Sequence, residues 1–120
     1  MLKKKNRLKS RTAFSATYHN NCSLADKNIV LYKGKEKNDK DCPTRVGFVV
    51  SKKVHKRAVK RNRIKRLMRE IIRLKFLNNE LDDRYQSLIF MARNEIIGKS
   101  LEEIKKSIEK LLNPIAKKNI

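Results

Sequence analysis

From Cys42 to Arg69 the chain carries eleven lysines and arginines and no aspartate or glutamate. Such a block repels itself, so it stays on a folded body only where apolar side chains anchor it. The anchor is legible. Ile64, Leu67, Met68, Ile71 and Ile72 recur at i, i+3, i+4, i+7 and i+8, which predicts a helix with one core-facing side. Arg61, Lys65, Arg69 and Arg73 recur every fourth residue on another side, with Asn62 and Arg66 beside them. The spacing therefore predicts an amphipathic helix whose polar face is almost wholly cationic.

Around this helix the other elements can be placed. Ser10 or Thr12 can cap a short helix running to about His19, with Phe14 and Tyr18 at i and i+4 on one face. Residues 28–33, rich in β-branched and aromatic side chains, read as a strand with Val30 and Tyr32 on one side, Ile29 and Leu31 on the other. The polar stretch from Lys33 to Pro43 reads as a hairpin loop leading to a second strand over residues 45–51. There Val46, Phe48 and Val50 share a face, and Gly47 hints at a bulge or the close approach of another backbone. Leu88 to Ala92 form a continuous apolar run, the pattern of a strand buried on both faces. Ser100 and Glu103 form a capping box for a last helix. Leu101, Ile104, Ile108, Leu111 and Leu112 make its buried stripe and Pro114 stops it. The order is α-β-β-α-β-α. The expected fold class is α+β, a small sheet packed with helices, in a single domain over residues 1–120.

Charge then narrows the partner. The net charge is +20, with 32 basic residues against 12 acidic ones. Residues 1–25, like residues 42–69, contain no acid. A surface built only for solubility intersperses its signs, so two acid-free blocks mark a face that meets a polyanion. No apolar run approaches the length of a membrane-spanning helix. The basic start has no apolar stretch behind it, so no signal peptide is expected. Cys22 and Cys42 are too few and too isolated for a disulfide framework or a zinc site, and reduced thiols in the cytoplasm are expected.

Side-chain catalysis finds little support. His19 and His55 are the only histidines, and neither neighbours a cysteine or a carboxylate pair in sequence. No glycine-rich phosphate loop is present among only three glycines. Metal-dependent nucleases gather carboxylates to hold Mg²⁺, and the basic blocks contain none.

The segment from Arg45 through Val46, Gly47, Phe48, Val49, Val50 and Ser51 to Lys52 and Lys53, followed by residues 56–66 with Arg61-Asn62-Arg63 at their core, resembles the bacterial ribonuclease P protein family. Asn6-Arg7-Leu8-Lys9, Phe14, Val30-Leu31-Tyr32 and Met91-Ala92-Arg93 add to the likeness, which covers roughly residues 3–112. The resemblance implies the protein part of a ribonucleoprotein endonuclease that removes the 5′ leader of precursor tRNA. The RNA would be the catalyst, working with Mg²⁺, and the protein would hold no catalytic residue and no firmly assigned metal. By position, Lys53, Arg57, Lys60, Arg61, Asn62, Arg63, Lys65, Arg66 and Arg69 would contact the catalytic RNA. Phe14, Tyr18, Val30, Tyr32 and Val49 would line a cleft for the single-stranded leader. The resemblance also implies that the strands flanking the basic helix are parallel and joined by a left-handed crossover, where general rules favour the right-handed one. Neither a membrane nor an obligate protein partner is expected.

The residues by themselves leave other RNA-facing roles open. A ribosomal-type structural RNA binder would carry the same charge and size. A DNA-binding module would set the basic helix in the major groove, but usually with base-reading Asn or Gln, for which only Asn62 qualifies. A membrane-surface helix would need its apolar face free, whereas these stripes are committed to a core.

Overall fold

The computed structural model describes residues 4–38, 42–78 and 84–112. A 3₁₀ turn at Lys4–Asn6 leads to α1 (Arg11–His19), β1 (Cys22–Ala25), β2 (Ile29–Lys33), β3 (Arg45–Val49), α2 (Ala58–Leu77), β4 (Ser87–Ala92), a 3₁₀ turn at Asn94–Ile96, and α3 (Leu101–Leu112). The class is α+β, as expected. One strand was not foreseen: β1 is an edge strand whose Leu24 alone is half-buried, so its sequence lacks an apolar pattern. It pairs antiparallel with β2 across the turn at Asp26–Asn28.

The sheet order is β1-β2-β4-β3. β4 pairs antiparallel with β2 and parallel with β3. The expected hairpin between β2 and β3 is therefore absent. β4, apolar from Leu88 to Ala92, takes the centre because only there are both of its faces covered, and it separates the two strands that sequence order would pair. β3 and β4 are parallel, as the resemblance implied for the strands flanking the basic helix, and α2 lies between them in the chain.

Strand alternation and register give the sheet two faces. Ile29, Leu31, Val46, Leu88, Phe90 and Ala92 point to one side, where they form the core with Ile64, Met68, Ile71 and Ile72 of α2 and Ile104, Ile108, Leu111 and Leu112 of α3. Each of these buried side chains stabilises the fold by roughly 1.5–3 kcal/mol relative to an exposed one, alanine excepted. Leu101 departs from the expected stripe: it is 48% exposed and lines a groove with Leu74 of α2. It stands at the first residue of α3, one turn before Ile104, the first side chain of that helix to enter the core. Ser100 caps α3 through the Glu103 N–H (3.3 Å). Pro114 lies outside the described residues.

The other face carries Val30, Tyr32, Gly47, Val49, Ser87, Ile89 and Met91, and α1 lies on part of it. Ser10 caps that helix by accepting the Ala13 N–H at 3.4 Å. Thr17, buried on its inner side, donates to the Ala13 carbonyl (2.8 Å) and shares a hydrogen bond with the Ser87 hydroxyl. This buried contact fixes both the height and the rotation of α1, because the Ser87 hydroxyl, to which Thr17 is joined, would be an unsatisfied dipole without it. Asn21 takes a left-handed conformation (φ 56°), which asparagine tolerates, and turns the chain from α1 into β1.

Candidate nucleic-acid interface

α1 leaves one end of its sheet face uncovered. Val30, Met91 and Val49 stand on a single rung across β2, β4 and β3, and all three are half-buried. One rung further, Ile89 is wholly buried beneath the helix. Tyr18 and Tyr32 meet edge to face with ring centres 4.8 Å apart. Burial, and then the neighbouring Tyr32, raise the Tyr18 pKa above its ordinary value of 10.0, so its phenol keeps its proton at neutral pH. Phe14 lies against Gly47, where an added Cβ would stand 2.5 Å from the ring's Cζ. The close neighbour that Gly47 accommodates is thus an aromatic side chain and not a backbone. All five residues assigned by sequence to a leader cleft share this face. Met91 was missed as a member: it lies within an apolar run that reads as uniformly buried, and only the register shows it between Val30 and Val49.

The cationic segment forms the adjoining wall. Lys53, Arg57, Lys60, Asn62, Arg63 and Arg66 are exposed, while Arg61, Lys65 and Arg69 are half-buried. Among the described residues, ion pairs link Arg73 to Glu70, Lys75 to Glu109, Lys99 to Glu103 and Lys110 to Asp26. None involves the nine residues assigned to RNA, so the charge of the eight basic ones is left for an outside partner. Arg61 is partly occupied within the chain: its Nη1 donates to the carbonyls of His55 (3.0 Å) and Lys56 (2.8 Å). The His55 Nδ1 accepts the Arg57 N–H at 3.0 Å. These bonds set the turn before α2, whose N-cap, Arg57, makes no side-chain cap bond. The sequence showed His55 only as a lone histidine, and nothing in its spacing marked this role.

The two walls meet. Phe14, Lys65 and Arg69 line one cavity of about 270 Å³ together with Gly47, Phe48 and the N-terminal segment. The arrangement joins an aromatic and apolar floor to a cationic flank, which is how single-stranded nucleic acid is held: bases against flat side chains, phosphates against lysine and arginine. Among the described residues no three His, Cys, Asp or Glu side chains come together to hold a metal ion, and no helix is long and apolar enough to cross a membrane. Both cysteines are free and exposed.

Known proteins match this geometry and sequence together. The family model described as Ribonuclease P matches residues 2–116. The ribonuclease P protein component of Caldanaerobacter subterraneus is 39% identical over 115 residues, covering 93% of this chain and 90% of its own length. That of Bacillus mycoides is 40% identical over 109 residues, covering 89% and 88%. The solved RNase P protein of Staphylococcus aureus superposes with a TM-score of 0.74 at 31% identity, covering 95% of this chain and 97% of that one. The RNase P protein of Thermotoga maritima shares the fold, with a TM-score of 0.76 at 22% identity over 91% and 96% of the two chains. By sequence along nearly its whole length and by the fold that sequence adopts, the chain belongs to the ribonuclease P protein family.

Proposed function

We infer that this chain is the protein subunit of a ribonuclease P ribonucleoprotein, acting in the cytoplasm on the 5′ leader of precursor tRNA. Its cationic wall, residues 53–69, binds the catalytic RNA. The cleft of Phe14, Tyr18, Val30, Tyr32, Val49 and Met91 takes the unpaired leader. The catalytic RNA is its partner, and that RNA supplies the catalytic centre with its Mg²⁺. Among the described residues, the cavity where the two walls meet is lined by no carboxylate that would hold a metal ion.

The observation that carries this reading is the adjacency of the two walls in a member of this family. A purely structural RNA binder has use for the cationic wall alone. It has none for a half-buried row of Val30, Met91 and Val49 beside paired tyrosines.

The test mixes the purified protein with a bacterial ribonuclease P RNA and a precursor tRNA at low Mg²⁺. The protein alone leaves the precursor intact, and adding it to the RNA raises cleavage at the leader junction. Cleavage by rigorously RNA-free protein, abolished by a histidine or aspartate substitution, would overturn the assignment of the chemistry to RNA. No stimulation of any bacterial ribonuclease P RNA would overturn the subunit role.

A further inference from the structure

Phe14 and Tyr18 occupy one flank of α1, and Ala13 and Ala16, three residues apart, occupy the other. Beside the alanine flank lies a second cavity, of about 420 Å³, which none of the leader-cleft residues lines. Its opposite wall is stitched together by backbone bonds between segments far apart in the chain. The Arg45 N–H donates to the Gln86 carbonyl (3.1 Å), the Gln86 N–H to the Lys35 carbonyl (2.8 Å), and the Lys37 N–H to the Arg84 carbonyl (2.8 Å). Glu36 pairs antiparallel with Tyr85, which packs against the core. Alternation therefore sends Lys37 and Gln86 the other way, into the cavity, where Asn38 and Arg45 join them.

The lining narrows the ligand. Among the described residues no carboxylate lines the cavity, and no ion pair involves Lys37 or Arg45, so anionic groups are its complement. No aromatic ring lines it either, and an unpaired base would find nothing to stack on. The alanine flank instead lets a backbone approach closely, beside two cations for phosphates and two side-chain amides that can bond hydroxyls. Phosphates and 2′-hydroxyls are what helical RNA displays across its shallow minor groove, while its bases stay stacked. Leu8 lines both this cavity and the one beside Phe14, so the surface continues to Lys65 and Arg69 on the wall assigned to the catalytic RNA. We propose, building on the subunit role inferred above, that this groove seats the backbone of a base-paired segment of the catalytic RNA. Lys37 and Arg45 hold its phosphates, and Asn38 and Gln86 its 2′-hydroxyls. α1 then lies between two RNAs, unpaired leader on its aromatic flank and paired catalytic RNA on its alanine flank.

Cys42 lines the groove and is exposed, whereas Cys22 is exposed but lies outside it, so the two thiols report on the site directly. Alkylation of the full chain by iodoacetamide should be suppressed at Cys42 once the catalytic RNA is bound, and should continue at Cys22. An unpaired oligonucleotide should protect neither. Lys37→Ala combined with Arg45→Ala should weaken the catalytic RNA about ten-fold. The melting temperature should hold, since neither side chain is fully buried. Ala16 is exposed, and Ala16→Glu sets a carboxylate in the groove and should weaken the RNA likewise. Gln86→Ala should weaken a short RNA duplex and leave a DNA duplex of the same sequence unaffected, because only RNA carries the 2′-hydroxyl. Lys105→Ala combined with Lys106→Ala removes the same charge from α3 and should leave all of these affinities unchanged.

Cys42 reacting equally with and without the catalytic RNA, or full affinity in both groove variants, would overturn the site. Equal losses of the RNA and DNA duplexes with Gln86→Ala would remove the 2′-hydroxyl contact, and with it the assignment to helical RNA. Protection of Cys42 by oligoglutamate but not by the RNA would give the groove to an acidic protein and overturn the proposal. So would a loss of mature tRNA affinity with the catalytic RNA held as before, which would move the contact to the substrate. A protein that stimulates cleavage but fails these tests keeps its function and loses this inference. One whose Cys42 is shielded by a ribonuclease P RNA that it fails to stimulate does the reverse.

Discussion

Gly47 decides where the Phe14 ring can lie, because any side chain there would occupy the ring's position. Gly47→Ala should therefore lift Phe14 from the sheet and cost about 1–3 kcal/mol as overpacking. In the double variant with Phe14→Ala the two costs should fail to add, since truncating Phe14 removes the ring that the new methyl would meet, and the methyl fills part of the space the ring leaves. Melting temperatures of the four proteins check this, and additive losses would mean that ring and glycine act independently. On the proposed leader contact, Phe14→Ala alone removes a stacking partner worth roughly 1–3 kcal/mol per base, so precursor tRNA should bind the assembled enzyme about 5–150-fold more weakly. Mature tRNA, which lacks the leader, should bind as before. Equal losses for both, or a collapsed melting temperature, would make Phe14 a structural residue. At this scale the sequence revealed residue types but not neighbours. Phe14, Tyr18, Val30, Tyr32 and Val49 could be named from a family likeness. Met91 could not be placed without the register, nor could the bonds that Arg61 gives to His55 and Lys56.

Elements were legible where their side chains repeat. α2 and α3 announce themselves through stripes at helical spacing, and β4 through its unbroken apolar run, because burial acts on one whole side of each helix and on nearly every residue of the strand. β1 stayed hidden since it buries little, and the β2-β4-β3 order stayed hidden because pairing across long sequence separation leaves no local trace. One joint between elements invites a test. Asp26, in the turn between β1 and β2, receives an ion pair from Lys110 of α3 (3.5 Å) and a hydrogen bond from the Asn28 N–H (3.4 Å). Burial pushes its carboxyl up, but hydrogen bonds from Ser107, Asn28, Lys110 and Lys27 outweigh that and hold it below its ordinary 3.8. A carboxyl lowered in the folded state adds stability above its unfolded pKa and loses it as the pH falls through the folded one. Asp26→Asn should thus cost about 1 kcal/mol at neutral pH, and the gap to the parent protein should close below pH 3.8. Urea midpoints of both proteins from pH 7 to pH 3 measure the gap, and one of constant width would exclude the Asp26 charge as its source.

For the molecule as a whole, where the charge lies matters more than the +20 it sums to. On α3 and just before it, Lys99, Lys105 and Lys106 are interleaved with Glu102, Glu103 and Glu109, so an approaching phosphate meets both signs. On the first turns of α2, Arg63, Lys65 and Arg66 meet no acid before Glu70, which Arg73 already engages. Each phosphate that a lysine or arginine neutralises releases condensed counterions, and the slope of log affinity against log salt counts those contacts. Replacing Arg63, Lys65 and Arg66 together by alanine should reduce the magnitude of that slope for the catalytic RNA by about 2–3. Replacing Lys99, Lys105 and Lys106 changes the net charge equally and should leave the slope nearly untouched, because long-range attraction without contact is screened within about 10 Å at 0.1 M salt. Arg61 is left out of the first set, since its loss would also release the turn that it ties to His55 and Lys56. Filter-binding isotherms at four or more salt concentrations give both slopes. Equal reductions would mean that the RNA responds to total charge alone, and the assignment of its interface to α2 would fall.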